Sequence, residues 1–304
     1  MRRMKKVLAL LILVALLLIA GFNGCPAITP TTAKKGLDFS LVTGLDKLSY
    51  GKTISIGETF YVHVYIENYD KVQKSGEVCI RDDQDSIYGG IKGEECSRFS
   101  VEAAEVIEEE KKGFFGGAAE KVQPGVRDLF FPSSGEYYYE SLPITQKANL
   151  FVTLRYVQDS VIGAPGGVAV PEPSSETLTL KQEPAPISVS AEKSVTRRED
   201  AYKVLLSIQL TKEQQAKIFS PNFKEENYLS FKAEMLPKTL ECEPEGTYSE
   251  EKLREGLIEI KTKKYIKCST LIYEEEQTSW PFVIKLNYGV ELAKEFPFTI
   301  AVEK

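Results

Sequence analysis

Much of the chain alternates apolar and polar residues, and this period of two predicts β-strands. The clearest example is the segment 59–68, in which the apolar residues share one face: Phe60, Val62, Val64 and Ile66. Similar alternation recurs at residues 148–157, 201–210, 282–288 and 296–302. Shorter runs of the same kind lie between turn residues, so the sequence predicts an all-β protein built of β-sandwiches.

A break in the strand pattern divides the chain into two halves. Pro184 and Pro186 interrupt the pattern, and a new alternation begins at Ile187. Both halves open with a short strand, a polar excursion and then a long alternating strand. We therefore expect two tandem immunoglobulin-like β-sandwiches, over residues 36–182 and 187–304.

Two segments do not follow the strand pattern. In the insert 100–135, residues 101–112 carry acids early and lysines last, the order that a helix dipole favours, so we expect a short helix there. Two phenylalanine pairs follow on loops bounded by Gly and Pro: Phe114, Phe115, Phe130 and Phe131. If these rings are exposed, they would mark a partner contact. The alternative is that they plug the open end of the first sandwich.

The second such segment is residues 161–175, which are rich in Gly and Pro and predict a mobile loop.

The first residues have the composition of an export signal. Residues 1–6 hold four basic side chains, residues 7–22 hold no charged one, and small residues follow, which is the layout of a secretory signal peptide. As a helix the apolar run would span about 24 Å, which is less than the roughly 30 Å of a hydrocarbon core. We expect residues 1–24 to be a signal peptide that is cleaved off, and residues 25–35 to form a polar tether. The alternative is an uncleaved membrane anchor.

Cys25 follows directly after this run and resembles the cysteine of the lipobox in prokaryotic lipoproteins. In that motif the cysteine thiol takes a diacyl lipid and becomes the new N-terminus. Gly24 fits the motif, whereas Phe22 and Asn23 depart from it. The resemblance implies that Cys25 is lipidated and that the protein is held at a membrane by two acyl chains. The alternative is that Cys25 is an ordinary residue of the signal.

The other cysteines form an even set, two in each half of the chain: Cys79, Cys96, Cys242 and Cys268. An even count in an exported protein indicates disulfides, and such a set allows three pairings. Locality within each half favours Cys79–Cys96 and Cys242–Cys268. Zinc binding is the rival interpretation, but the tight spacings and added histidines that it needs are missing.

The first half resembles the CARDB-type and related immunoglobulin-like modules of archaeal and bacterial surface proteins. The segments that carry this resemblance are residues 37–41, 57–70, 76–82, 148–156 and 174–182, with Asn68 after the second strand. The whole chain is similar to exported archaeal lipoproteins that combine a signal, a cysteine and tandem immunoglobulin-like domains. The resemblance implies a role at the cell surface and brings no catalytic residues with it.

Composition and motifs argue against several other functions. The formal net charge is −6, whereas nucleic-acid binding needs a basic footprint. The single histidine, His63, falls on the polar face of its strand and is expected to be an ordinary surface residue. The chain has no phosphate loop, GxSxG or HExxH motif. We therefore expect no enzymatic activity and no cofactor.

Calcium is the one ligand that the sequence suggests. Asp82, Asp83 and Asp85 lie together, and hard oxygen ligands on a loop hold calcium. Because the spacing lacks the EF-hand order, a solvated turn is the alternative.

The expected function is that of a non-catalytic lipoprotein on the extracellular face of the cell membrane. Its role would be structural, adhesive or partner-binding, toward surface proteins or glycans. The alternative is a ligand-binding or accessory subunit of an envelope-associated machine or hydrolase.

Overall fold

Strands dominate the computed structural model, which confirms the all-β prediction. The structure describes residues 36–44, 47–110, 119–169, 174–183, 185–214, 216–244, 256–273 and 279–302. Within these ranges nearly all regular elements are strands, and a 3-10 turn covers Ser86–Tyr88. No helix in the described part of the chain is long and apolar enough to cross a membrane. Cys25, Phe114 and Phe115 lie outside the described residues.

The strands of the first half are β1 (Leu37–Leu41), β2 (Thr53–Ser55), β3 (Thr59–Phe60), β4 (Val62–Asn68), β5 (Lys74–Asp82), β6 (Glu95–Val101), β7 (Glu105–Glu110), β8 (Ala119–Gln123), β9 (Gly125–Phe131), β10 (Tyr137–Tyr138), β11 (Gln146–Ala169) and β12 (Ser174–Leu178). Those of the second half are β13 (Ile187–Arg198), β14 (Ala201–Lys212), β15 (Lys217–Phe219), β16 (Tyr228–Met235), β17 (Lys238–Thr239), β18 (Glu241–Pro244), β19 (Leu257–Glu259), β20 (Lys263–Tyr273) and β21 (Ser279–Ala301).

Among the described residues the strands form three larger sheets and two short pairs. The largest has nine strands: β17-β16-β21-β11-β5-β6 in that order, with β2 and β15 pairing with β21 and β19 pairing with β16. A five-stranded sheet runs β12-β13-β14-β20-β18, and a three-stranded sheet runs β1-β4-β9. The short pairs are β3 with β10 and β7 with β8.

The long pairing of β11 with β21 joins the two halves of the chain. It runs antiparallel from Gln146↔Ile300 to Ala164↔Phe282 without a shift in register. The inward residues of both strands are buried in one core, because period two brings every second side chain to the same face. The five-stranded sheet also mixes the halves, since β12 pairs with β13. Two sandwiches that follow one another along the chain are therefore not confirmed.

The predicted helix at residues 101–112 is wrong. Residues Glu105–Glu110 form β7, which pairs with β8 from Glu105↔Gln123 onward. In a helix Glu105 and Glu109 would repel each other at a spacing of four residues, whereas the β-branched residues between them favour extended backbone. The described part of the insert is therefore a β-hairpin followed by β9.

The predicted loop at residues 161–175 is also largely strand. β11 continues to Ala169, and β12 begins at Ser174. A register shift between Ala164 and Val168 marks a β-bulge, which accommodates Pro165 and the glycines after it, because a bulge releases residues from the ladder.

Both disulfides link strands that already pair. The structure joins Cys79 to Cys96 across β5 and β6, and Cys242 to Cys268 across β18 and β20. In each case the two cysteines lie directly opposite one another in the antiparallel ladder. These are the two pairings that locality in the sequence favours, one in each of the two largest sheets.

Candidate functional site

A groove opens where β11 loses its neighbour on one edge. On that edge the pairing with β5 stops at Tyr156↔Gly76. The next pairing there is at Gly163, which donates its N–H to the Lys181 carbonyl at 3.3 Å and accepts from the Lys181 N–H at 2.8 Å. Between these points, the described residues supply no strand partner for residues 157–162, although the other edge of β11 stays paired with β21. We refer to residues 157–162 as the open edge.

The groove beside the open edge encloses about 960 Å³. Half of its lining residues are apolar: Val72, Val157, Val161, Ala164, Pro165, Pro281, Phe282 and Val283. Val161 is 67% exposed, so part of this apolar surface is open to water. The charged residues of the lining are Lys74, Asp159, Lys181 and Glu183. A concave, mainly apolar lining with a few polar groups is typical of a binding site.

A buried ion pair lies where β5 begins, beside the groove. Lys74 Nζ lies 3.2 Å from Asp70 Oδ2, and the two side chains are 5% and 4% exposed. Lys74 Nζ also donates to Gln158 Oε1 at 2.8 Å. Within the described part of the chain, Asp70 Oδ2 has this ion pair but no hydrogen bond. We refer to these residues as the Lys74 centre; because both charges are held out of water, each depends on the other.

The Lys74 centre was not predicted from the sequence, although one signal for it was present. Leu150, Val152, Leu154 and Tyr156 form the inward face of β11, and Gln158 is the next residue on that face. A buried polar side chain in an apolar row needs a hydrogen-bond partner, which indicates a polar group nearby in the core. Nothing local in the sequence identifies that group as Lys74.

His63 is buried, so its expected position on an open surface is wrong. Its ring stacks on Phe130 with centroids 4.2 Å apart. Its Nε2 lies 2.6 Å from Asp128 Oδ1, and Lys47 Nζ lies 3.1 Å from its Nδ1. Because an ammonium group has no acceptor, Lys47 donates to Nδ1, and the ring proton is assigned to Nε2, which donates to Asp128. We refer to His63, Asp128 and Lys47 as the His63 centre.

The described members of the two phenylalanine pairs point to opposite faces of β9. Phe131 is 1% exposed and belongs to the core, whereas Phe130 is 53% exposed and covers His63. Adjacent residues of a strand must face opposite ways, so Phe130 and Phe131 do not form one patch. Phe131 fits the alternative that these rings fill the core, and of the two described rings only Phe130 remains as a surface contact.

Asp82 is engaged inside the protein. Its Oδ2 accepts from the Tyr139 hydroxyl at 2.7 Å and from the Ile91 N–H at 3.0 Å. Burial raises the pKa of the Asp82 carboxyl above its ordinary value of 3.8, and these hydrogen bonds oppose the rise only in part. Burial, together with the charge of Asp82, also raises the pKa of Tyr139, so the hydroxyl keeps its proton for this bond.

The other two aspartates of the suggested calcium site have separate partners. Asp83 accepts from the backbone and side-chain N–H groups of Asn149 at 2.9 and 3.0 Å, and Asp85 accepts from the Ile87 N–H at 3.2 Å. The group of potential metal ligands that the described residues bring together is Glu77, Cys79 and Cys96. Its two sulfurs are joined in a disulfide, so this group is a poor metal site. The geometry gives the calcium hypothesis no support.

Comparison with known proteins does not identify a family. The chain matches no protein-family model, and no curated protein matches it. It is similar to the crystal structure of red sea bream transglutaminase, at 12% sequence identity and a TM-score of 0.20, over 89% of this chain and 32% of that one. The chain thus spans about a third of the length of that structure. A likeness at this level carries no functional argument.

Proposed function

We propose that this protein is a non-catalytic surface protein that binds a partner through the groove beside the open edge. It is exported and held on the extracellular face of the cell membrane by a lipid on Cys25. The groove is the observation that carries the binding role, because exposed apolar side chains and unpaired main-chain groups meet there. Covering either kind of surface with a partner is favourable, because apolar area leaves water and main-chain groups form hydrogen bonds.

The disulfides support export. Cys79–Cys96 and Cys242–Cys268 tie two different sheets, and bonds of this kind form and persist in oxidising compartments outside the cytosol. The basic and apolar composition of residues 1–22 supports the same compartment.

Two polar side chains that line the groove are held by partners within the protein, which supports binding rather than chemistry. Lys74 is neutralised by Asp70, and Asp159 accepts a hydrogen bond from the Asn287 amide. None of the residues that line the groove in the described part of the chain is a histidine or cysteine.

The test is cell fractionation with the full-length chain. We expect the wild type in the membrane fraction, with a mature N-terminus at Cys25 that carries the mass of a diacyl lipid. Cys25→Ser should move the protein to the soluble fraction or leave the signal uncleaved, because serine lacks the thiol that takes the lipid. Thr31→Ser, a similar change in the tether, is the control and should stay in the membrane fraction. A mature N-terminus elsewhere, without lipid mass, would contradict the anchoring.

A further inference from the structure

We propose that the groove binds an extended segment of a partner protein, which pairs with the open edge as an added β-strand. This inference rests on the partner-binding part of the proposed function and does not depend on the lipid anchor. It names the partner by its chemistry: an extended backbone with alternating apolar side chains and at least one Lys or Arg.

The main-chain groups of the open edge point in the right direction for pairing. Gly163 bonds with Lys181 on this edge, and the direction of the N–H and C=O groups alternates from residue to residue along a strand. The register with β21 is unbroken up to Ala164, so no bulge inverts the alternation. Val157, Asp159 and Val161 therefore direct their N–H and C=O groups into the groove, as Gly163 does.

Most of these groups are available to a ligand. The Asp159 carbonyl accepts a hydrogen bond from Gln158 Nε2 at 3.2 Å. Within the described part of the chain, the ladder pairs Val157, Asp159 and Val161 with β21 alone. An unpaired sheet edge is a template for another strand unless it is covered or charged, and strand addition is a common mode of peptide recognition.

The length of the opening limits the occupant. Fixed pairings close it at Tyr156↔Gly76 and at Gly163↔Lys181. At about 3.3 Å per residue the opening is roughly 23 Å long. A segment of about five to six extended residues fits, and its two ends must leave the plane of the sheet because the flanking pairs block further extension.

The side chains around the opening determine what the occupant carries. Val157 and Val161 lie on one face of β11, beside Val72 and Val283, so every second residue of the occupant contacts apolar surface. At the rim, the carboxylates of Asp159 and Glu183 outnumber the ammonium of Lys181, since Lys74 is already neutralised by Asp70. A Lys or Arg in the occupant complements this acidic rim.

The first experiment measures amide hydrogen exchange in the full-length protein without a ligand. We expect the amides of Val157, Asp159 and Val161 to exchange faster than those of Gln158, Ser160 and Ile162, whose N–H groups face β21. If both sets are equally protected in the free monomer, the edge is closed and the inference is wrong. If protection of the first set increases with protein concentration, a second copy of this chain occupies the edge and the heterologous partner is wrong.

The second experiment uses peptides and so requires no change to the fold. The probe is a pool of terminally blocked seven-residue peptides in which Val or Ile alternates with Thr, with one Arg in each. We expect members of the pool to bind and to slow exchange at Val157 and Val161. Each binder is then made in two forms, N-methylated on one or the other alternate set of amides. Methylation of the set of amides that faces β11 should weaken binding at least tenfold. Methylation of the other set should leave binding unchanged.

The outcomes separate this inference from the anchoring. Equal binding of both methylated forms, or retention of no member of the pool, would show that the groove does not add a strand, even if Cys25 carries its lipid. Unequal binding of the two forms would support the strand addition, even if Cys25 proves unmodified.

Discussion

The Lys74 centre and the His63 centre each join a basic side chain to an aspartate, yet the two aspartates lie in different surroundings. In the Lys74 centre the side chains of Lys74 and Asp70 are 5% and 4% exposed. In the His63 centre the ring of His63 is 9% exposed, whereas Asp128 is 48% exposed. Water therefore solvates the anion of one pair and is excluded from the other. The two pairings should therefore contribute very differently to stability.

The two centres also differ in what they hold in place. The Lys74 centre links the start of β5 to the inward face of β11 through Gln158, directly beside the open edge. The His63 centre links β4 to β9 in the three-stranded sheet, where the ladder already pairs these strands. The Lys74 centre therefore braces the strand that carries the open edge, whereas the His63 centre adds to contacts that are present anyway.

The largest expected effect is that of Lys74→Met. This change keeps the apolar stem but leaves Asp70 buried and unpaired, so we expect the free energy of unfolding to fall by about 3–5 kcal/mol. Urea denaturation measures the loss. Lys92→Met, at an exposed lysine, is the control and should stay within about 0.5 kcal/mol of the wild type. If Lys74→Met lowers the free energy of unfolding by less than about 1 kcal/mol, the variant does not leave Asp70 as a buried, unpaired charge, and this interpretation of the pair is wrong.

Part of this architecture could be predicted from the sequence because its signals are local. In β14 the residues Val204, Leu206, Ile208 and Leu210 are all buried and alternate with less buried neighbours, which are polar except for Leu205. The cysteine pairs follow from closeness in the chain. The order of charges in the segment 105–110 favours a helix, but it carries no information about β8, the strand with which this segment pairs.

The candidate site could not be predicted in the same way, because it depends on contacts between distant parts of the chain. β11 pairs with β21, whose residues come more than a hundred positions later, and no local pattern specifies that partner. The groove exists because β5 leaves β11 after Gly76 and Lys181 rejoins it at Gly163. Where one strand parts from another is a property of the assembled sheet.

A smaller effect concerns Asp82, a buried carboxyl whose described partners include no cation. Its pKa is raised in the folded state by burial, so the folded protein holds this proton more tightly than the unfolded chain. Its contribution to stability is complete below the ordinary value of 3.8 and is lost as pH rises through the higher folded pKa. Asp82→Asn cannot titrate, so its stability relative to the wild type should improve from about pH 3.5 to about pH 7.

The measurement for Asp82 is the difference in unfolding free energy between variant and wild type across that pH series. Taking a difference removes the contributions that other carboxyls, such as Glu291, make to the pH dependence. There burial would raise the pKa, but the hydrogen bonds from Arg155 and Lys217 outweigh it and hold the pKa below its ordinary value. Glu291 is present in both proteins, so its opposite dependence cancels. A difference that does not change with pH would contradict the assignment of Asp82 as a buried, titrating carboxyl.

The smallest expected effect is that of Asp128→Asn. Asparagine keeps an oxygen that accepts the His63 Nε2–H and removes only the charge, while about half of the Asp128 side chain is in water. We therefore expect a loss of at most about 1 kcal/mol in the free energy of unfolding. Roughly 0.5 M salt should shrink this loss by screening, yet leave the cost of Lys74→Met almost unchanged, because buried pairs are screened far less. Equal costs for the two variants in urea denaturation would mean that solvent exposure of the aspartate does not decide the strength of these pairs.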